Sequence, residues 1–204
     1  MNLKESLLAS AHDLFMKYGI KSVSMDDISK RLGVSKKTIY SCVATKDDLI
    51  ANVLDKHLEK DECEIKKILS ESSDAIDEMV NITRHLITFL SNMTPSIIYD
   101  LKKYHPLSWG KIETSHFSFI EKTILENLNR GQKEGLYRND INPKILSKLY
   151  VMKSTAIADH EKFPIEEFDR VSLILEVIKY HLYGIVSDKG LKIIQQKHKT
   201  FFNL

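Results

Sequence analysis

Two cysteines in 204 residues, Cys42 and Cys63, exclude a disulfide framework, and neither belongs to a CxxC pair of the kind that holds zinc. No stretch approaches the eighteen or so uninterrupted apolar residues of a membrane span. The first ten residues carry Lys4 and Glu5 ahead of only a short Leu7-Leu8-Ala9 run, which is no secretory signal. A cytoplasmic protein without membrane partners is expected. Also missing are period-two strand runs bounded by turn signals, internal repeats and low-complexity segments. No nucleophile elbow, phosphate loop or other catalytic signature occurs, so no enzyme, catalytic residue or cofactor is expected.

Hydrophobic residues make up 43% of the chain, enough for a sizeable core. The net charge of +2 is unevenly spread: residues 1–46 hold seven Lys and one Arg against four acidic residues, leaving −2 for the remainder. A basic N-terminal fifth on a mildly acidic body marks where a polyanion would dock.

Apolar residues recur at helical spacing along the whole chain, and the expected fold is all-α. Leu7, Leu8, Ala11, Leu14, Phe15 and Tyr18 form one stripe, which Gly19 terminates. Ser24 and Asp27 make a capping box before Met25, Ile28 and Leu32. Gly33-Val34-Ser35 breaks that helix, and Ser35 caps the next, from Lys36 to about Val43. Thr45 and Asp48 open a long helix, 46–70. Ser72-Ser73-Asp74 punctuates, and a stripe from Ile76 to Leu90 follows. Thr94-Pro95 reads as a cap with Pro at the first helical position, and Pro106 to Gly110 as a loop. Further helices are expected at Ile112–Glu134, from Asn142-Pro143, from Phe163-Pro164 to about Ser187, and after Gly190.

Two short helices joined by Gly33-Val34-Ser35 have the proportions of a helix-turn-helix, whose second helix enters the DNA major groove. Such a helix needs small polar and basic residues. Lys36, Lys37, Thr38, Tyr40 and Ser41 meet this, and Ile39 can point inward. Lys46 begins the next helix, where free backbone N–H groups also favour a phosphate. The candidate DNA contacts are Ser24, Ser35, Lys36, Lys37, Thr38, Tyr40, Ser41 and Lys46.

Residues 7–49 resemble the DNA-binding region of the TetR family of regulators. The resemblance rests on Leu8, Ala11, Leu14, Phe15 and Gly19, then Ser22 to Ser29, Leu32 to Lys36, Thr38-Ile39-Tyr40 and Lys46 to Leu49. Gly131 to Arg138 with Asp140 to Pro143 resembles a stretch between the family's ligand-domain helices. The resemblance implies a three-helix operator-binding head (1–45) and a dimerising, effector-binding body (46–204), hence a ligand-responsive repressor of a palindromic operator. It also implies that Thr38 and Tyr40 touch backbone or bases and that Lys46 meets a phosphate. Lys37, Cys42 and Val43 depart from the pattern, the last two weakening the DNA grip. The alternative is a helical small-molecule-binding protein with weakened or lost DNA binding.

In the body, Phe89, Met93, Tyr99, Tyr104, Trp109, His116, Phe117, Tyr150 and Met152 either line a cavity for a small apolar or aromatic ligand or are plain core. The helix after Pro164 has a second apolar stripe, Leu173, Val177, Tyr180 and Gly184, which suits a two-fold dimer seam. Glu113 and His116 have a metal-ligand spacing but no second copy, so an ordinary surface pair is favoured over a metal site. Asp159-His160-Glu161 is a polar helix end.

Overall fold

The computed structural model describes residues 2–94, 96–159 and 161–202. Its helices are α1 (Leu3–Tyr18), α2 (Met25–Leu32), α3 (Lys36–Tyr40), α4 (Lys46–Glu71), α5 (Ala75–Ser91), α6 (Ser96–Tyr104), α7 (Pro106–Lys111), α8 (Phe117–Lys133), α9 (Pro143–Ala158), α10 (Arg170–Ile185), α11 (Asp188–Lys197) and α12 (Lys199–Phe202). A π-helical turn, Ile112–His116, joins α7 to α8. Extended pairing among the described residues is confined to one isolated bridge, Tyr137 with Val186. The fold is all-α.

Several boundaries differ from the sequence reading. Pro106–Gly110 is helical, because a proline at the first position gives up only an N–H that had no partner anyway. The helix expected from Pro164 begins at Arg170, where the Asp169 side chain accepts from the Ser172 N–H. Gly190 lies inside α11, which Ser187 caps; a side chain at Gly190 would strike the Leu136 carbonyl. Of the Thr94-Pro95 cap and the Asp159-His160-Glu161 end, Pro95 and His160 lie outside the described residues.

The chain divides into two compact units. The first takes residues 1–62 and 92–114, and so contains α1, α2, α3, the start of α4, α6 and α7. Leu7, Ala11, Phe15, Ile28, Ile39, Leu49 and Ile50 are buried there. Hiding one of the leucine, isoleucine or phenylalanine side chains from water contributes roughly 1.5–3 kcal/mol. The second unit takes residues 63–91 and 115–204. Its core joins Ile76, Met79, Val80, Ile124, Leu128, Tyr150, Ile178, Leu182, Ile194 and Phe202.

A polar network crosses the second unit's interior. Glu78, 4% exposed, accepts from Asn127 Nδ2 at 2.8 Å and Arg130 Nη1 at 2.7 Å. Arg130 Nε donates to Glu134, whose other oxygen takes the Ala75 N–H. The Tyr137 hydroxyl donates into the pair formed by the Ala75 carbonyl and Asn127 Oδ1, each 3.0 Å away. Each member is satisfied, which a buried polar group requires if it is not to be costly. The network gives the Gly131–Arg138 stretch a structural reason. Tyr137 lies flat on Gly131, and Gly135, at φ +71°, turns the chain out of α8.

Candidate nucleic-acid interface

The helix-turn-helix is built by its caps. Ser24 Oγ accepts from Asp27 N at 3.2 Å, while Asp27 Oδ2 accepts from Ser24 N at 2.8 Å. The Ser24 hydroxyl and backbone bonds hold the Asp27 carboxyl below its ordinary range. Gly33 ends α2 in the left-handed region at φ 67°, and Ser29 Oγ donates to the Val34 carbonyl at 2.7 Å, pinning the turn. Ser35 then accepts from Thr38 N at 3.1 Å and starts α3. Ile39, 1% exposed, anchors α3 from below, and Val43 is also buried. The expected run to Val43 stops at Tyr40, where Ser41 Oγ turns to the Thr38 carbonyl.

These bonds sort the candidate contacts. Ser24, Ser35, Thr38 and Ser41 each have a hydroxyl engaged in the hairpin itself. Lys36 makes a 2.8 Å ion pair with Asp26, which raises its pKa. Lys37 is exposed, and Tyr40 is 47% exposed with its ring on the outer face of α3. Lys37 and Tyr40 are therefore the side chains of α3 that the hairpin leaves to a ligand. Lys46 is placed differently from the sequence expectation. Its ammonium donates to the Ile20 carbonyl at 2.7 Å and is half-buried, and that burial lowers its pKa. It ties α4 to the turn before α2. Asp26 was not singled out from the sequence, although its place in the first turn of α2 was visible.

Helix α6 belongs to the same unit. Asp100, 4% exposed, accepts from the Lys21 N–H at 2.9 Å, and His105 Nδ1 meets Asp47 at 2.9 Å. No local pattern signals either pairing, since the Lys21 bond spans 79 positions.

The expected ligand residues are divided between the two units. Met93, Tyr99, Tyr104 and Trp109 belong to the first unit, and Phe89, His116, Phe117, Tyr150 and Met152 to the second. Tyr104 is 39% exposed and takes the Lys21 ammonium at 2.9 Å, while Lys102 stands over Trp109 at 5.1 Å. Each of these two rings therefore has a lysine ammonium against it. Met152, 66% exposed, lies on the outer side of α9, because α9 turns Tyr150 inward instead. Met93 is buried, His116 rests near Phe117 and Phe119, and Phe89 is half-buried. Tyr150 is buried, which pushes its phenol up to about 12, and its ring meets His181 edge-on at 5.2 Å.

On α10, Leu173 and Val177 are half-buried, Tyr180 is 74% exposed, and Gly184 opens onto empty space. Helix α9 runs alongside, with Lys153 Nζ 5.1 Å from the Tyr180 ring, and adds exposed Ile145, Leu149 and Met152 at i, i+4 and i+7. Those three were not assigned to a seam from sequence. Among the described residues, no group of three or more His, Cys, Asp or Glu could hold a metal, and no helix is long and apolar enough to cross a membrane.

Residues 7–53 match the family described as bacterial regulatory proteins, tetR family. An uncharacterized HTH-type transcriptional regulator, YvaF of Bacillus subtilis strain 168, is 26% identical over 192 residues, covering 92% of this chain and 97% of that one. A TetR transcription regulator from Haloarcula marismortui has the same fold at 14% identity and a TM-score of 0.77, over 90% of this chain and 98% of its own. A putative transcriptional regulator from Saccharomonospora viridis, solved with choline, is similar at a TM-score of 0.71 and 18% identity, over 90% and 97% of the two chains.

Proposed function

We propose that this chain, whose residues 7–53 match the tetR family, is a transcriptional regulator of that family that binds a palindromic operator as a homodimer and represses transcription, and that a small molecule releases it. One observation carries the DNA part: α3 stands on a buried Ile39 with Lys37 and Tyr40 directed outward and the surrounding hydroxyls already consumed by caps. A lysine and a phenol at this end of a recognition helix suit a phosphate or a guanine edge. The exposed α9–α10 face supports a second copy as partner, since apolar side chains from two adjacent helices line it. The choline found in the Saccharomonospora viridis protein supports a small-molecule effector.

Gel shift against the DNA upstream of the coding sequence, followed by footprinting, tests the reading. A protected inverted repeat is expected. Lys37→Ala with Tyr40→Phe should weaken binding and flatten the log–log salt dependence by roughly one unit for the lysine. Unchanged affinity and slope in the double variant would remove α3 from the interface.

A further inference from the structure

Helix α2 has two carboxylates in its first turn, Asp26 and Asp27. Asp27 closes the capping box with Ser24. Met25 and Ile28 are buried on the inner side of the helix, which turns Asp26 outward. Its partner lies across the turn, where Lys36 Nζ is 2.8 Å from Asp26 Oδ1. Gly33 in the left-handed region and the Ser29 bond to the Val34 carbonyl fix where α3 begins, and so bring its first residue to Asp26. Both side chains of the pair are about half exposed, 52% for Lys36 and 54% for Asp26.

The pair lies beside the side chains that α3 turns outward. Lys36 adjoins Lys37, and Tyr40 is one helical turn further on. Helix α3 alone has two lysines and no carboxylate, a charge of +2, which Asp26 reduces to +1 for this edge of the hairpin. A phosphate that draws Lys36 away leaves Asp26 bare beside a polyanion, and one that leaves the pair intact gains nothing from Lys36. Either way the DNA backbone is offered one cation instead of two. Sequence-independent binding depends directly on that number, because each neutralised phosphate releases counterions. A seated recognition helix depends on it less, since its N-terminal residues lie over base edges between the phosphate rims.

We propose that Asp26 is a specificity-determining residue, which withholds Lys36 from the sugar-phosphate backbone and so keeps binding to unrelated DNA weak relative to the operator. It acts through Lys36 and needs no contact of its own with DNA. Lys37 and Tyr40 remain for the operator. A regulator finds its site among a large excess of unrelated sequence, so the ratio of the two affinities matters more than either alone. This inference rests on the operator-binding reading.

The test uses the full-length protein with two duplexes of equal length: the footprinted upstream site, and the same bases in scrambled order. Anisotropy titrations at several salt concentrations compare wild type with Asp26→Asn, Asp26→Glu and Asp26→Asn/Lys36→Gln. On the scrambled duplex Asp26→Asn should steepen the log–log salt slope by about 0.9, which is roughly fivefold tighter binding at about 0.15 M salt. On the upstream site the gain should be smaller, so discrimination falls. Asp26→Glu keeps the ion pair and should match wild type, and Asp26→Asn/Lys36→Gln should return to the wild-type slope. A damaged head would bind more weakly, so the expected gain cannot come from lost structure. An unchanged slope on the scrambled duplex, a steeper slope that persists without Lys36, or equal gains on both duplexes would each overturn the role of Asp26 while leaving operator binding intact. A wild type that does not prefer the upstream site would end the operator reading and this inference with it.

Discussion

Gly131 is the position where a small change has the best-defined consequence. Replacing it by alanine in the last turn of α8 gains up to about 1 kcal/mol of helix propensity. Against this, the new Cβ would lie 2.6 Å from Tyr137 Cγ and closer still to Cδ2 and Cε2, so the ring must move. Tyr137 is 1% exposed and has no empty space to enter. Overpacking of this kind costs about 1–3 kcal/mol. Moving the ring also pulls its hydroxyl from the Ala75 carbonyl and Asn127 Oδ1, and a buried group left without its partner costs about 1–3 kcal/mol more. The sum favours destabilisation, by about 1–5 kcal/mol, which at about 2 kcal/mol per molar urea moves the midpoint down by about 0.5–2.5 M. Urea titration followed by helical circular dichroism, at one protein concentration because a dimer's stability depends on it, measures this. The Tyr137→Ala background supplies the control. With the ring gone, Gly131→Ala should become stabilising, since only the propensity gain remains. A Gly131→Ala protein as stable as wild type, or a loss that persists without the ring, would refute the steric argument.

Lys46→Met should lower stability by about 1 kcal/mol through loss of the bond to the Ile20 carbonyl. Unchanged melting with weakened DNA binding would instead return Lys46 to a phosphate. Burial, and then Lys153, hold His181 at a pKa of about 4, below its ordinary 6.5. The unfolded chain therefore takes up the proton first, so stability should fall as pH drops from about 6.5 towards 4, by up to about 3 kcal/mol. His181→Leu should flatten that part of the pH profile, and an identical profile would deny the shift. Leu173→Glu with Val177→Glu should give monomers in sedimentation and abolish binding to an inverted repeat, because two linked heads are what such a site engages. Persisting dimers would move the seam off α10.

The elements with strong local signals were legible in the sequence. Ser24 with Asp27, Gly33 and Ser35 each act through neighbours three to five residues away, and the structure has α2, the turn and α3 where those residues put them. The long fourth helix, expected over 46–70, spans Lys46–Glu71. Legibility failed where a residue has a partner far along the chain. Lys46 reads as an outward cation from its place in a first turn, and only the folded chain shows the Ile20 carbonyl within reach. Tyr104 has the character of a pocket wall, and the lysine bonded to its hydroxyl, Lys21, lies 83 positions earlier in the chain. Met152 has the same apolar character as Tyr150 two positions earlier, but that offset turns it by about half a turn of helix, to the other side.

The two free cysteines differ in access: Cys63 is exposed on α4, and Cys42 is half-buried just after α3. A thiol-directed spin label under mild conditions should therefore attach at Cys63 well ahead of Cys42, without any engineered residue. In a two-fold assembly every molecule would carry one label on each α4, and dipolar spectroscopy would read a single separation. Recording that separation with and without the upstream duplex, and with candidate small molecules added, turns an incidental side chain into a ruler for the distance between two copies of the same helix.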